Sequence, residues 1–157
     1  MKRQVVQALT KFGLLAVMAM FTAVGSAQAQ SLAHTIKANI PFDFTVGDRQ
    51  LPAGQYWIGR AQPNAGDLVL AISNSDSRAN AITTSVQTLE PQNATKLVFH
   101  RYGDQYFLYQ IWPAGSLTGR AIPKSHRERE VARKSNGLAS AGKAKAVETV
   151  CIVAGLQ

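Results

Sequence analysis

Past residue 35 the apolar residues fall in short alternating runs separated by Gly, Pro, Asn and Asp, the period-two pattern of strands. The densest run is residues 96–112, KLVFHRYGDQYFLYQIW. Its two arms, 96–102 and 105–112, are rich in the aromatic and branched side chains that suit a pleated surface. Gly103-Asp104 between them fits a two-residue type II′ turn, whose first central residue takes a positive φ that glycine adopts without a Cβ clash. Such a turn fixes the pairing. Tyr102 faces Gln105, Arg101 faces Tyr106, His100 faces Phe107, Phe99 faces Leu108, Val98 faces Tyr109 and Leu97 faces Gln110. Alternation then puts Leu97, Phe99, Arg101, Tyr106, Leu108 and Trp112 on one face, and Val98, His100, Tyr102, Phe107, Tyr109 and Ile111 on the other. Neither face is polar. The hairpin is therefore expected at the centre of the fold, with another sheet on one side and a helix, loop or partner on the other. Phe99 and Leu108 are expected core residues, and Arg101 stands opposite Tyr106 in position for a cation–π contact.

The same pattern predicts strands over 34–40 and 42–46, interrupted at Pro41, which has no N–H for a ladder and so marks an edge, a bulge or a crossing between sheets. Gly47-Asp48 turns the chain, and Leu51-Pro52-Ala53-Gly54 fits a type I turn. Further strands are expected over 56–60, 68–73, 81–88 and 120–122, with loops over 63–67, 74–80, 89–95 and 113–119. One helix is predicted over 125–134. Ser125 and Glu128 have the spacing of a capping box, and Glu130 and Lys134 form an i,i+4 pair. Its apolar content is Val131 and Ala132 alone, so no broad stripe is buried and the helix is placed on the surface. Residues 135–146 are small and polar, a flexible connector, and 147–153 is the last strand. Short, evenly spaced strands with turns between them predict an all-β fold. The expected architecture is a single-domain antiparallel β-sandwich or small β-barrel with one short surface helix in the C-terminal region.

The first 29 residues do not belong to that fold. Lys2, Arg3 and Lys11 precede or flank a thirteen-residue apolar run, 12–24, too short for a membrane span, and Ala27-Gln28-Ala29 is a small-x-small cleavage site. Residues 1–29 are thus expected to be a signal peptide and 30–157 a mature β-rich domain, periplasmic or secreted, with no transmembrane segment. Cys151 is the sole cysteine, which excludes an internal disulfide. Its apolar surroundings predict a small buried hydrophobe. Pairing between two chains, giving a homodimer, is the alternative. The formal charge of +8 falls to about +5 once the three basic residues of the leader are removed. Residues 30–123 carry seven basic and six acidic groups, whereas 124–145 carry seven basic groups against Glu128 and Glu130. The positive charge is therefore concentrated in and after the helix.

Two stretches carry a resemblance. One is Ile40-Pro41-Phe42-Asp43-Phe44-Thr45-Val46-Gly47 followed by Leu51-Pro52-Ala53-Gly54-Gln55-Tyr56. The other is Leu97-Val98-Phe99-His100-Arg101-Tyr102-Gly103 with Tyr106-Phe107-Leu108. Together they resemble a group of small, uncharacterised exported bacterial proteins. The resemblance covers most of the mature chain and implies one exported β-rich domain from a bacterium. It brings no activity, ligand or catalytic residue.

Candidate chemistry is sparse. His34, His100 and His126 lack metal-ligand spacing, so no metal or cofactor is expected. Gly115-Ser116-Leu117-Thr118-Gly119 has its serine off the centre that a nucleophile elbow requires, and no phosphate loop or dinucleotide fingerprint occurs. His100, Arg101, Tyr102, Asp104 and Tyr106 form the densest polar–aromatic cluster. They are either a hairpin tip held by cross-strand pairs or a carbohydrate or small-ligand site. Lys124, Arg127, Arg129, Arg133 and Lys134 on the helix are either a solvated face or a contact for an anionic partner. Export and the near-neutral body argue against nucleic acid. The expected function is a non-catalytic exported β-domain with an interaction or structural role in the bacterial cell envelope, its partner an envelope protein, a polysaccharide or a small ligand. The alternative is a small-ligand carrier with a lipocalin-like barrel. For that alternative, Gly54-Gln55-Tyr56-Trp57 departs by one residue from the Gly-x-Trp pattern of lipocalins.

Overall fold

A computed structural model describes residues 35–62, 68–140 and 147–156. The expected leader with its expected cleavage site, His34, the expected loop at 63–67 and residues 141–146 of the expected connector lie outside the described residues. Among the described residues eleven strands and one helix follow in chain order: β1 (Ile36–Ile40), β2 (Phe44–Val46), β3 (Arg49–Leu51), β4 (Gly54–Arg60), β5 (Val69–Ser73), β6 (Arg78–Ile82), β7 (Thr84–Gln87), β8 (Thr95–Tyr102), β9 (Gln105–Trp112), β10 (Thr118–Ala121), α1 (His126–Ser140) and β11 (Glu148–Leu156).

The hydrogen-bonded path runs β3-β2-β9-β8-β11-β1-β4-β5-β6. Every pairing is antiparallel except that of β2 with the first half of β9. The second half of β9 pairs with β10, and β10 with β7. Only Thr83 separates β6 from β7, and it is buried, with its N–H donating to the Leu68 carbonyl at 2.7 Å. The ring thus closes through the chain itself, from β6 into β7 and across β10 to β9. The result is a nearly closed, all-β barrel with one helix outside it. An opening remains where β6 faces the β2–β3 hairpin without a ladder between them.

Inward side chains fill the axis. Phe44, Tyr56, Phe99, Leu97, Ile58 and Leu108 are all at 2% exposure or less. The aromatic rings meet edge to face: Phe44 on Tyr56 at 5.1 Å and Phe44 on Phe99 at 5.7 Å. Tyr56 satisfies its hydroxyl by donating to the Pro52 carbonyl at 2.8 Å. That bond ties β4 to the turn before it and lets a polar tip be buried without an orphaned donor.

The central hairpin turns at Gly103, whose φ is +62°, while Asp104 has no positive φ, as the type II′ geometry requires. Pairing follows the expected register from Tyr102↔Gln105 to Phe99↔Leu108. Beyond that it departs: Val98 faces Gln110, Leu97 faces Ile111 and Lys96 faces Trp112. Tyr109 is the extra residue of a β-bulge, and a one-residue slip exchanges the faces of everything after it. Ile111 therefore enters the core and Trp112 turns outward, the reverse of the alternation read from the sequence. Gly119 is fixed by this reversal, because a Cβ there would lie 2.6 Å from the Trp112 ring.

Other boundaries also differ. Residues 49–51 pair with β2, and 78–82 form an edge strand where a polar loop over 74–80 was expected. In β6 the small inward Ala79 and Ala81 alternate with polar or exposed residues, a weak signal beside the Asn-Ser-Asp-Ser run that precedes it. The helix runs six residues past the expected end at 134, since nothing in 135–140 breaks it except Gly137, which costs about 1 kcal/mol. The last strand is Glu148–Leu156, three residues longer at its end than expected. Cys151 is exposed, not buried. It faces Val98 from the outer side of β11, and the inward places are taken by Val150 and Ile152.

Candidate functional site

The outer face of β8 carries two polar side chains two residues apart, His100 and Tyr102, and α1 packs over them. The contact is made by Glu128, which is 4% exposed although charged. One carboxylate oxygen, Oε1, lies 2.8 Å from His100 Nδ1 and 3.2 Å from the Tyr102 hydroxyl. An ionised carboxylate can only accept, so the proton of that imidazole sits on Nδ1, and the Tyr102 hydroxyl donates. The same hydroxyl accepts from Lys124 Nζ at 3.1 Å. The chain of bonds runs from Lys124 to Tyr102 to Glu128, with His100 donating from the other side. Tyr109, the bulged residue, stacks on His100 at 4.0 Å and fixes the plane of its ring.

Ser125 starts the helix, its Oγ accepting the Glu128 N–H at 3.2 Å. Only this half of the capping box forms. The Glu128 carboxylate does not turn back to Ser125, because the buried donors of β8 hold it. Glu130 pairs at 4.0 Å with His126 and not with Lys134 as expected. The helix is on the surface, yet a buried acid ties it to the barrel where an apolar stripe is missing.

Burial pushes the Tyr102 phenol above its ordinary 10.0, and the hydrogen bond to Tyr102 raises the Lys124 ammonium above its ordinary 10.5. Both groups thus bind their protons more tightly in the folded state. Their contribution is complete below the unfolded values and disappears as pH rises through the folded ones. Titration at constant ionic strength should show stability from these groups holding to about pH 10 and falling above it. Tyr102→Phe should flatten that alkaline decline, as read by chemical denaturation at a series of pH values. A decline of the same steepness in Tyr102→Phe would assign it to other groups.

The five residues of the expected tip cluster are not brought together. His100 and Tyr102 lie outside the barrel under the helix, and Arg101 and Tyr106 lie on the other face. Arg101 sits over the Tyr106 ring at 5.4 Å, donates to the Gly103 carbonyl at 2.8 Å and reaches Glu148 at 3.4 Å. Tyr106 stacks on Phe42 at 3.9 Å. Asp104 is exposed at the turn. These contacts knit the hairpin tip to β11 and to the link before β2. All five expected cationic residues, Lys124, Arg127, Arg129, Arg133 and Lys134, are exposed, and Lys124 alone reaches inward to bond the Tyr102 hydroxyl. Among the described residues no group of three His, Cys, Asp or Glu is placed to hold a metal, and no helix is long and apolar enough to cross a membrane.

Two concave places stand out on the exterior among the described residues. A cleft of about 860 Å³ opens at the barrel seam, between Val46–Arg49, the free edge of β6, and Ile122, Pro123 and Ser125. A groove of about 400 Å³ runs along the helix, lined by Lys124, His126, Arg129, Ala132 and Arg133. The seam cleft was not legible in the sequence, since it needs β10 to deliver the chain beside β6; of the groove, Lys124, Arg129 and Arg133 were among the expected contacts for an anionic partner, while the concave flank they share was not. The role of Glu128 had one available signal. It is the only acid in the first turn of a helix that must cover His100 and Tyr102, which share a face by their spacing. No family model, curated protein or solved structure matches the chain.

Proposed function

We propose that this is an exported, non-catalytic β-domain that works by binding in the bacterial cell envelope. The observation that carries the reading is the filled axis. Phe44, Tyr56, Leu97 and Phe99 occupy the place where a barrel of this kind would otherwise hold a ligand, so recognition is left to the exterior. Support also comes from the division of charge: a nearly neutral barrel bears a cationic helix that Glu128 holds in one orientation. The leader with its Ala27-Gln28-Ala29 site supports export to the periplasm or the medium.

A second reading, the small-ligand carrier, has the seam cleft in its favour. Its volume falls within the range of about 300–1,000 Å³ typical of small-molecule sites, and Val46, Ala79, Ala81 and Ile122 give it an apolar floor. The ligand would then lie at the side of the barrel and not along its axis. Expression of the full chain in a bacterial host, followed by fractionation and native mass spectrometry, separates the two. The binding-domain reading expects a chain beginning at Gln30 that cosediments with envelope material and flies at its polypeptide mass. A constant added mass lost on collisional activation would favour the carrier. An unprocessed chain confined to the cytoplasm would overturn both.

A further inference from the structure

We infer that the groove on the Arg129–Arg133 flank of α1 grips a linear anionic polymer, an acidic polysaccharide by chemistry, one repeat of charge at a time. The inference rests on the envelope-binding reading and names its partner and contact surface. Three observations carry it. The first is the removal of the acids. Of the two carboxylates in the helix, Glu128 is buried and accepts from His100 and Tyr102, and Glu130 faces His126. Among the described residues Arg129 and Arg133 have no ion-pair partner, and no acid lines the groove. One carboxylate, Glu130, stands at the rim beside His126, against the three cations Lys124, Arg129 and Arg133 of the lining, so the potential of the groove is net positive.

The second is spacing. Arg129 and Arg133 are one turn apart on the same flank, about 6 Å along the axis. Ala132 between them is too small to fill the space, which leaves the floor of the groove. Lys124 closes one end and is held there by its bond to the Tyr102 hydroxyl. Guanidinium forks match carboxylate, sulfate and phosphate oxygens in a planar, two-bond geometry that a lone ammonium lacks.

The third is asymmetry. At about 100° per residue, Arg127 and Lys134 emerge on the opposite flank of α1 from Arg129 and Arg133, and the groove is lined by the latter pair only. A flat anionic bilayer resting on the helix would draw on both flanks. A strand of polymer lying in the groove would use one.

Two charge-reversed variants of the full chain test this, Arg129→Glu with Arg133→Glu, and Arg127→Glu with Lys134→Glu. They change net charge by the same amount, so any difference between them comes from position. The probe is heparin, a linear polyanion, with affinity measured over a series of NaCl concentrations. Loss of both groove contacts should lower the log–log salt slope by about two, and reversal of the other flank should leave it within about half of one. A milder pair, Arg129→Gln with Arg133→Gln, repeats the test if reversal unfolds the helix by circular dichroism. Equal losses in both variants, accompanied by equal losses on phosphatidylglycerol vesicles, would overturn the groove in favour of a flat membrane contact. No affinity of the parent chain for heparin at low salt would overturn the inference and leave the envelope-binding reading to stand on its own fractionation result.

Discussion

Phe99→Ala should lower the stability of the domain by about 3–5 kcal/mol, the scale expected for emptying a fully buried aromatic site. The ring is fully buried and takes edge-to-face contacts from Phe42 at 5.3 Å and Phe44 at 5.7 Å. Phe42 lies within the short link that carries the chain from β1 to β2, and Phe44 is the first residue after it. Truncation therefore empties volume at the point where three strands meet. The surroundings cannot close on the gap, because β2 is held by β3 on one side and β9 on the other. In thermal melts the loss corresponds to a fall of roughly 10–25 °C for a domain of this size. Leu89→Ala is the matched control, since Leu89 is 100% exposed and its loss should cost less than about 0.5 kcal/mol. If the two variants melted together, the inward face of the hairpin would have to be assigned to the other set of residues.

The sequence made the barrel legible wherever alternation was unbroken. Leu97, Phe99 and Leu108 are inward as their spacing predicts, and Gly103 has the positive φ that its turn demands. Reading failed where the period of two was interrupted by a device with no composition of its own. The bulge at Tyr109 is such a device. Nothing in Leu108-Tyr109-Gln110-Ile111 marks the extra residue, and yet it decides that Ile111 faces the barrel axis while Trp112 is buried on the outer side. Cys151 failed for a related reason: in β11 every position from Val150 to Ala154 is apolar, so the run has no phase until β8 supplies one. The cationic residues of the helix could be read as a class, because charge survives any change of register. What could not be read was which of them share a flank with a groove. That depends on the tether between Glu128 and β8, a contact spanning 28 residues of sequence.

Glu128→Ala should cost roughly 2–3 kcal/mol and should act on the helix before it acts on the barrel. Removing the carboxylate leaves the His100 Nδ1 proton and the Tyr102 hydroxyl without their acceptor in a buried place, and each orphaned donor costs about 1–3 kcal/mol. The two penalties do not add fully, since Tyr102 keeps Lys124 and water can enter once the helix lifts. The helix has little else to hold it: Val131 and Ala132 are half-buried and its other flank is charged. It is thus the element expected to open locally, at a free energy below that of the whole domain. Hydrogen exchange should show amides of α1 losing protection in Glu128→Ala, with those of β8 and β9 changed only by the global loss. Dye binding should rise as Tyr102 and the Phe107 ring packed against it meet solvent. Glu130→Ala, which loses one exposed pair with His126, should do neither. Uniform loss of protection across helix and barrel would mean that α1 is part of the cooperative core. The groove on its flank would then be a rigid feature of the fold, independent of the Glu128 tether.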